Sequence, residues 1–286
     1  MNKIILFLTT LCTGFIGFAQ HNDLNAGVSR TEELRREFMQ GNGTTVMVAA
    51  HRGVHNDVPE NSMASFHRAA QLRVHIVELD VRSTRDGVLV LMHDKTVDRT
   101  TNGRGRVDSL TYAELSALSL KHKGQVTTEK IPTLEEALLF LKGKTLVDLD
   151  IKAGDKSGEI MELVRKTGTE RTVIFFVYDS IQLRMVKEWD KDVLVLARSR
   201  SHTAVAPYFG KFRPEALHID ESHHRPDVVK QIHSSGARVW LNALGETDRL
   251  AASTGPHAFN TVLQYGANII QTDYPELLLK YLKGRN

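Results

Sequence analysis

From residue 44 onward, short apolar runs alternate with segments in which apolar residues recur every three or four positions. The short runs predict β-strands, and the periodic segments predict amphipathic helices with one face toward a core. The eight predicted strands lie at residues 45–50, 76–81, 145–151, 172–177, 193–197, 216–219, 238–241 and 268–271. The eight predicted helices lie at residues 62–71, 134–141, 157–167, 180–188, 203–209, 226–234, 250–265 and 275–282.

This alternation indicates a parallel sheet whose strands are joined by helical crossovers. Eight such units favour closure into a (β/α)8 TIM barrel over an open doubly wound sheet. Some runs, such as residues 173–177, are apolar on both faces, as expected for strands covered by helices. One stretch at about residues 95–130 interrupts the alternation and carries a short helical pattern at 112–118. We therefore predict a single barrel domain over residues 44–286, with a small insertion after its second strand.

The first 19 residues have the pattern of a secretory signal peptide. Lys3 gives a positive start, residues 4–18 are almost wholly apolar, and small residues near their end predict cleavage after Ala19. A transmembrane anchor is the alternative, but the apolar run is short for a membrane span. We expect an exported protein, periplasmic or secreted, with no stable membrane insertion after cleavage. Residues 20–43 are expected to form a leader that packs against the domain outside its core.

Composition and charge narrow the class of function. Hydrophobic residues make up 41% of the chain and charged residues 25%, as in an ordinary soluble globular protein. A formal net charge of +3 on 286 residues, with no block of lysine and arginine, argues against a nucleic-acid partner. The single cysteine, Cys12, falls inside the predicted signal; a lipid anchor there is an alternative, although Leu11 stands where a small residue is expected. A mature chain without cysteine has no disulfide, thiolate metal ligand or cysteine nucleophile.

Polar residues gather where the predicted strands end. In a parallel barrel the carboxyl ends of the strands form one rim, and catalytic groups lie there. Glu78 and Asp80 stand two apart on the second strand, so they share a face, and a divalent cation would offset the cost of burying both. The residues expected near this rim are His51, Arg52, Glu60, Glu78, Asp80, His93, Asp148, Asp150 and Lys152. A lone strand-end histidine is more often structural, but this joint placement predicts a metal site with histidines that move protons.

The same residues belong to motifs that resemble one family. The motifs are Ala50-His51-Arg52-Gly53, Pro59-Glu60-Asn61-Ser62, Glu78-Leu79-Asp80-Val81, His93-Asp94, Asp98-Arg99-Thr100-Thr101-Asn102-Gly103, Ile131-Pro132-Thr133-Leu134-Glu135-Glu136, Asp150-Ile151-Lys152, Trp240-Leu241-Asn242 and Thr272-Asp273-Tyr274-Pro275. Together they resemble the glycerophosphodiester phosphodiesterases over roughly residues 46–279, and those in the first half are the most specific.

The resemblance implies a barrel hydrolase that cleaves small-molecule glycerophosphodiesters to sn-glycerol 3-phosphate and an alcohol, with bound Ca²⁺ or Mg²⁺. It also implies that a glycerol hydroxyl attacks first, giving a cyclic phosphate that water then opens. The implied roles are acid/base catalysis by His51 and His93, metal binding by Glu78, Asp80 and Asp150, phosphate contact by Arg52 and Lys152, and support by Glu60. Trp240, Tyr178 and the insertion are expected to shape the substrate side that holds the leaving group.

Two positions depart from the family pattern. Asp150 stands where the family has glutamate, so the metal must lie closer to the third strand, bind through a water or bind more weakly. Asp148, on the same face, is expected to compensate. Leu241 replaces a threonine, but it points away from Trp240 and Asn242, so the lining of the site is expected to change little.

Two other functions compete with this one. A phospholipase D-like or phosphoinositide-type enzyme would need a membrane-docking segment, and the aromatic stretch at residues 208–212 is the place to look for it. A barrel that binds phosphate ligands without catalysis would have lost one of the histidines, and both are present. The sequence predicts neither the alcohol group of the substrate nor the oligomeric state.

Overall fold

The computed structural model describes residues 29–285, and its strands and helices alternate. In chain order the strands are β1 (Met47–Ala50), β2 (Ile76–Ser83), β3 (Leu89–Leu91), β4 (Lys121–His122), β5 (Gln125–Val126), β6 (Leu146–Ile151), β7 (Val173–Val177), β8 (Leu194–Arg198), β9 (Ala216–His218), β10 (Arg238–Asn242) and β11 (Ile269–Thr272). The helices are α1 (Arg30–Phe38), α2 (Met63–Leu72), α3 (Tyr112–Ala117), α4 (Leu134–Leu141), α5 (Ser157–Thr167), α6 (Ser180–Trp189), α7 (Pro226–Ser234), α8 (Glu246–Thr254), α9 (Asn260–Leu263) and α10 (Pro275–Lys283). The predicted signal peptide at residues 1–19 lies outside the described residues.

Eight parallel strands form a closed ring. β2 and then β6 to β11 each pair with the next strand in that order, and β1 pairs with both β2 and β11. The prediction of a (β/α)8 TIM barrel is confirmed. β3 lies outside the ring as an antiparallel partner of the end of β2. All eight barrel strands therefore present their carboxyl ends at the same rim.

Several of the helices begin at capping residues that can be recognised in the sequence. Thr133 accepts a hydrogen bond from the backbone N–H of Glu136, and the Glu136 carboxylate accepts one from the backbone N–H of Thr133. Thr111 and Glu114 form the same reciprocal pair at the start of α3. Each such cap satisfies two backbone groups that the helix itself leaves unpaired, and the capping residue contributes about 1 kcal/mol.

Two of the predicted helices do not form as single α-helices. Residues 203–209 make two short 3-10 turns, His202–Ala204 and Ala206–Tyr208, because Pro207 lacks the N–H that an α-helix would need there. Residues 250–265 do not form one helix. α8 ends before Gly255, whose φ of 111° is open mainly to glycine, and Pro256 then begins a new 3-10 turn.

The apolar core has an outer and an inner part. The outer part lies between the barrel strands and the surrounding helices. The inner part fills the barrel and includes Leu34 and Phe38 of α1, which pack against inward-facing residues such as Met47 and Ile174. Burial of Phe38, which is fully inaccessible to solvent, contributes about 2 kcal/mol. The expectation that the leader lies outside the core is therefore wrong for α1, because its apolar face covers the amino-terminal end of the barrel.

The insertion after β3 has a small core of its own. It contains α3 and the antiparallel pair β4–β5, as well as a 3-10 turn at Val107–Ser109. The apolar residues buried in this unit are Val90, Met92, Val97, Val107, Leu115, Leu120 and Ile131. Because β3 leaves the ring beside the carboxyl end of β2, this unit stands next to the rim.

The helices of the described part of the chain and the aromatic stretch at 208–212 bear on the question of membrane contact. Within residues 29–285, no helix combines the length and the apolar composition required to cross a bilayer. In the aromatic stretch at 208–212, Tyr208 is buried, and Phe209 and Phe212 pack against the outer core. Phe209 and Phe212 are half-buried, so the aromatic rings of this stretch are largely engaged by the domain itself.

Candidate active site

The residues that point into the barrel change from apolar to polar along each strand. On β2, Ile76 lies in the inner core, whereas Glu78 and Asp80, two and four residues later, line a cavity at the rim. On β6 the same step leads from Leu146 to Asp148 and Asp150. This is the strict alternation of a strand, and it places the predicted carboxylates on the inward face.

Four carboxylates form the floor of this cavity, which has a volume of about 260 Å³. The register of β2 and β6 sets Glu78 beside Asp148 and Asp80 beside Asp150. All four are buried, and Oδ1 of Asp148 has no hydrogen-bond partner among residues 29–285. Burial first and the neighbouring carboxylates second raise the pKa of both Glu78 and Asp148 well above the usual range.

This centre fits a hard divalent cation. Glu78, Asp80 and Asp150 each direct one oxygen into a space in which the three atoms lie within 4.8 Å of one another. Carboxylate oxygens are the ligands that Ca²⁺ and Mg²⁺ prefer. The side-chain cations in contact with the three are Arg52 and Lys152, which lie 3.3 Å from the Asp80 carboxylate. A divalent cation would relieve the remaining repulsion among the buried carboxylates.

Asp150 is held from both sides. Its Oδ2 accepts a hydrogen bond from Lys152 Nζ at 2.5 Å, and its Oδ1 accepts one from the Tyr178 hydroxyl at 2.7 Å. Burial and the charge of Asp150 raise the pKa of Tyr178, so the phenol stays protonated and acts as the donor. Tyr178 thus fixes the carboxylate that replaces the longer glutamate of the family pattern.

Both predicted catalytic histidines line the cavity, and each is oriented through Nδ1 by a carboxylate. Nδ1 of His51 lies 2.7 Å from Oδ1 of Asp273, and Nδ1 of His93 lies 2.8 Å from Oδ1 of Asp94. Because an ionised carboxylate only accepts, both Nδ1 atoms carry a proton, which leaves each Nε2 as the atom that can exchange a proton with substrate. Burial lowers the pKa of His51 although Asp273 opposes this, so the ring is neutral at pH 7.

An ion-pair network joins the loop after β1 to the loop that carries His93 and Asp94. Arg99 donates to both Asp94 and Glu60, and Arg52 donates to Glu60 at 2.8 Å. Burial would raise the pKa of Glu60, but hydrogen bonds from Arg99 and the charge of Arg52 outweigh it and lower the pKa to about 2. Glu60 pairs with Arg52 and, through Arg99, links the loop after β1 to Asp94, the carboxylate that orients His93.

Asn61 is a supporting residue that the sequence analysis did not assign. Its side-chain amide donates to Oδ2 of Asp80 at 2.9 Å, and its Oδ1 accepts from the backbone N–H of Asp80 at 3.3 Å. Asn61 has a positive φ of 50°, a conformation that asparagine tolerates better than most residues. The one sequence feature that could have indicated this role is the position of Asn61 within the Pro59-Glu60-Asn61-Ser62 motif.

Two residues predicted to contact substrate, Arg52 and Trp240, do not line the 260 Å³ cavity. Arg52 is mostly buried, and its guanidinium pairs with Glu60 and Asp80 instead of lining the cavity. Trp240 is fully buried in the inner core, below the cavity, where its indole N–H donates to Asn242 at 3.1 Å. Trp240 lies one layer too deep to touch substrate in this structure, so it positions the lining residue Asn242. Lys152 does line the cavity, as expected.

Later strands contribute groups that the sequence analysis missed. Arg198 and Arg200, at and just beyond the end of β8, line the cavity opposite the carboxylates, as does the buried His218 of β9. Burial and the adjacent Arg198 lower the pKa of His218 well below its usual value, so its ring is neutral. Strand alternation from Leu196 would have found Arg198, and the two arginines supply positive charge suited to a phosphoryl group.

A second cavity, of about 540 Å³, adjoins the first on the side of the insertion. His55, Glu60 and Asp273 line it from the barrel, and the hairpin around Lys121 and Lys123 lines it from the insertion. The expectation that the insertion borders the site agrees with this position.

A TIM barrel with buried carboxylates, two oriented histidines and arginines at its carboxyl rim defines a hydrolase of the kind that attacks phosphate esters. The chain belongs to the glycerophosphoryl diester phosphodiesterase family, which it matches over residues 51–277. It is 30% identical over 247 residues to the glycerophosphodiester phosphodiesterase of Caldanaerobacter subterraneus subsp. tengcongensis, covering 83% of this chain and 98% of that protein. The family resemblance is confirmed, and the chain is a phosphoric diester hydrolase.

Solved structures give the same assignment of fold. A glycerophosphoryl diester phosphodiesterase from Parabacteroides distasonis superposes with a TM-score of 0.79 at 26% identity, over 90% of this chain and 93% of that chain. A phosphodiesterase from Oleispira antarctica, solved in complex with the product sn-glycerol-3-phosphate, superposes with a TM-score of 0.70 at 24% identity, over 83% of this chain and 96% of that chain.

Proposed function

We propose that the chain is an exported, metal-dependent glycerophosphodiester phosphodiesterase that releases sn-glycerol 3-phosphate and an alcohol. The observation that carries the proposal is that a buried carboxylate cluster and two histidines line the same cavity, and that each histidine is oriented by a further carboxylate. The product seen with the Oleispira antarctica phosphodiesterase supports the same product here. Export rests on the signal pattern of residues 1–19 alone.

Glu78, Asp80 and Asp150 would hold Ca²⁺ or Mg²⁺, and Asp148 lies beside Glu78 on the neighbouring strand. When bound, the cation would offset the negative charge that develops on the phosphoryl oxygens. Lys152, Arg198 and Arg200 line the same cavity and bind the phosphodiester through charge-assisted hydrogen bonds. Glu60 and Asn61 keep Arg52 and Asp80 in place while the substrate binds.

The two histidines move the protons. His51, neutral at pH 7, takes the proton of the attacking glycerol hydroxyl at Nε2, while Asp273 stabilises the imidazolium that forms. His93 gives a proton to the departing alkoxide, so the alcohol leaves neutral and a cyclic glycerol phosphate remains. Water then opens the cyclic phosphate with the two roles reversed, which returns both histidines to their starting states.

The proposal is tested by assaying a panel of glycerophosphodiesters with and without a chelator. We expect sn-glycerol 3-phosphate as product, no turnover in excess chelator, and recovery on adding Ca²⁺ or Mg²⁺. Asp80→Ala should not recover, whereas Asp108→Ala, at an exposed position paired with Arg106, should behave as wild type. Full activity in excess chelator would remove the metal from the proposal. Release of phosphatidic acid from phospholipid vesicles would favour a phospholipase D-like enzyme instead.

A further inference from the structure

His51, His55 and Asp273 form a cluster that the carboxylate centre does not include. Nδ1 of His51 lies 2.7 Å and Nε2 of His55 lies 3.1 Å from the same oxygen, Oδ1 of Asp273. His51 and His55 belong to the loop after β1, and Asp273 follows β11, the strand that pairs with β1. The two rings stand edge to face with their centroids 6.3 Å apart, so both nitrogens converge on one point.

The donors of this cluster differ in chemistry from those of the carboxylate centre. Two imidazole nitrogens and one carboxylate oxygen, all within 4.8 Å of one another, match the preference of Zn²⁺. Ligands around tetrahedral Zn²⁺ stand about 3.3 Å apart, given metal–ligand distances of about 2.0–2.1 Å. The two hydrogen-bonded pairs, at 2.7 and 3.1 Å, are close to that separation, and the two ring nitrogens lie within 4.8 Å of each other.

The cluster is also open to solvent. His55 and Asp273 line the 540 Å³ cavity, whereas His51 lines the 260 Å³ cavity, so the cluster forms the wall between the two. About a third of the Asp273 side chain is exposed, at 34%, and 21% of the His55 side chain. A cation can thus enter from the larger cavity and keep a water as its fourth ligand.

We propose that His51, His55 and Asp273 form a second metal site, selective for Zn²⁺, whose occupation inhibits the enzyme. In the metal-free cluster, Nδ1 of His51 carries the proton and Nε2 is free to accept one. When Zn²⁺ takes the lone pair of Nδ1, the proton of the neutral ring must reside on Nε2, and the ring keeps the same number of protons. His51 can then no longer accept a proton from the attacking hydroxyl. The inhibitory half of this inference rests on the proposed role of His51, but Zn²⁺ binding itself does not.

Binding is measured first, without substrate. The full chain is saturated with Ca²⁺ to fill the carboxylate centre and then titrated with Zn²⁺ against a chromophoric chelator. We expect one Zn²⁺ per chain that excess Ca²⁺ does not displace, and a change in the ¹⁵N shift of His51 Nδ1 and His55 Nε2. His55→Gln should weaken Zn²⁺ binding by about 100-fold or more, because it removes a ligand outright. His257→Gln, an exposed histidine beside Tyr281, should bind Zn²⁺ as wild type does.

Inhibition is measured second, on the Ca²⁺-loaded enzyme. The Zn²⁺ concentration that halves the turnover of each variant should rise for His55→Gln by the same factor as its Zn²⁺ dissociation constant. Competition between Ca²⁺ and Zn²⁺ for one site, or equal Zn²⁺ binding by wild type and His55→Gln, would overturn the proposed site. Tight Zn²⁺ binding at these residues without loss of turnover would keep the site but contradict the role of His51. An enzyme that shows no turnover in Ca²⁺ would count against the proposed function alone.

Discussion

The Tyr178 hydroxyl donates a 2.7 Å hydrogen bond to Asp150, across the gap between β7 and β6. Asp148, two residues earlier on the same strand and face, lies deeper beside Glu78, and its Oδ1 has no partner. The shorter residue at position 150 is thus fixed by a hydroxyl from the neighbouring strand end. It is Asp150, with Glu78 and Asp80, whose oxygens converge within 4.8 Å.

Asp150 should therefore matter more for metal binding than Asp148. We expect Asp150→Asn to weaken Ca²⁺ binding by about 10- to 100-fold, because it removes a charged ligand, while Asp150→Glu tightens binding or leaves it unchanged. Asp148→Asn should have the smaller effect. Calorimetric Ca²⁺ titration of the three variants checks this order. A larger loss for Asp148→Asn than for Asp150→Asn would mean that the site is built around Asp148.

The metal should also stabilise the fold. Burial raises the pKa of Glu78 and Asp148, and four buried carboxylates repel one another in the metal-free protein. At a cation concentration about 100 times Kd, binding adds about 2.7 kcal/mol, which corresponds to a rise in Tm of about 5 to 10 °C for a chain of this size. Scanning calorimetry with and without Ca²⁺ measures the shift. Asp80→Asn should lose most of it, and an unchanged wild-type Tm would contradict metal binding at this centre.

Loss of either catalytic histidine should abolish most turnover without unfolding the protein. We expect His51→Ala and His93→Ala each to lower kcat/KM by roughly 10²- to 10⁴-fold, because general acid/base catalysis contributes that much. Both side chains lie at the rim, so the Tm should stay near that of wild type. The wild-type dependence of kcat/KM on pH should be bell-shaped. His257→Ala, at an exposed position that lines neither the 260 Å³ nor the 540 Å³ cavity, is the control that should retain activity.

Asp273 should act by positioning His51. Its hydrogen bond holds the proton of the His51 ring on Nδ1. Burial would raise the pKa of Asp273, but the hydrogen bonds from His51 and His55 outweigh it and keep that pKa well below the usual range. We expect Asp273→Asn to lower kcat by roughly 10²-fold with little change in KM. Since Asp273 raises the pKa of His51, its loss should move the acidic limb of the kcat/KM profile to lower pH. A purely structural role would reduce activity without moving that limb.

Much of the site follows from strand alternation, but its depth and its long-range contacts do not. The spacing of Glu78 and Asp80, and of Asp148, Asp150 and Lys152, places them on one inward face, as found. The same alternation correctly puts Trp240 on the inward face, yet it lies in the apolar layer below the cavity, since a pattern of alternate residues carries no measure of depth.

A local sequence pattern could not predict which residues of distant strands contact His51 and Asp150. Asp273 reaches His51, and Tyr178 reaches Asp150, only because the ring closes and neighbouring strands come into register. Arg198 differs from these partners, since strand alternation from Leu196 places it on the inward face. The position of α1 could not be predicted from composition either. Its sequence is mostly polar, and only two apolar residues, Leu34 and Phe38, enter the core.

His75 should make the fold sensitive to acid. Its Nδ1 accepts a 3.0 Å hydrogen bond from the backbone N–H of Val48, which requires a neutral ring. Burial, together with Arg30 and Arg238, lowers the pKa of His75 from 6.5 to about 4. Between these two values the unfolded chain holds a proton that the folded chain does not, so stability falls as the pH drops from 6.5 toward 4. Below the lower value both states are protonated and this contribution stops changing.

The loss of folding stability on protonation of His75 follows from the difference between its pKa values in the unfolded and folded chain, and it is at most about 3 kcal/mol. His75→Asn keeps an acceptor near the Val48 N–H but cannot be protonated. Its free energy of unfolding should therefore fall less steeply than that of wild type over this pH range. Urea unfolding at several pH values measures both slopes, and His257→Asn, at an exposed site, should keep the wild-type slope. Equal slopes for wild type and His75→Asn would show that protonation of His75 is not linked to unfolding.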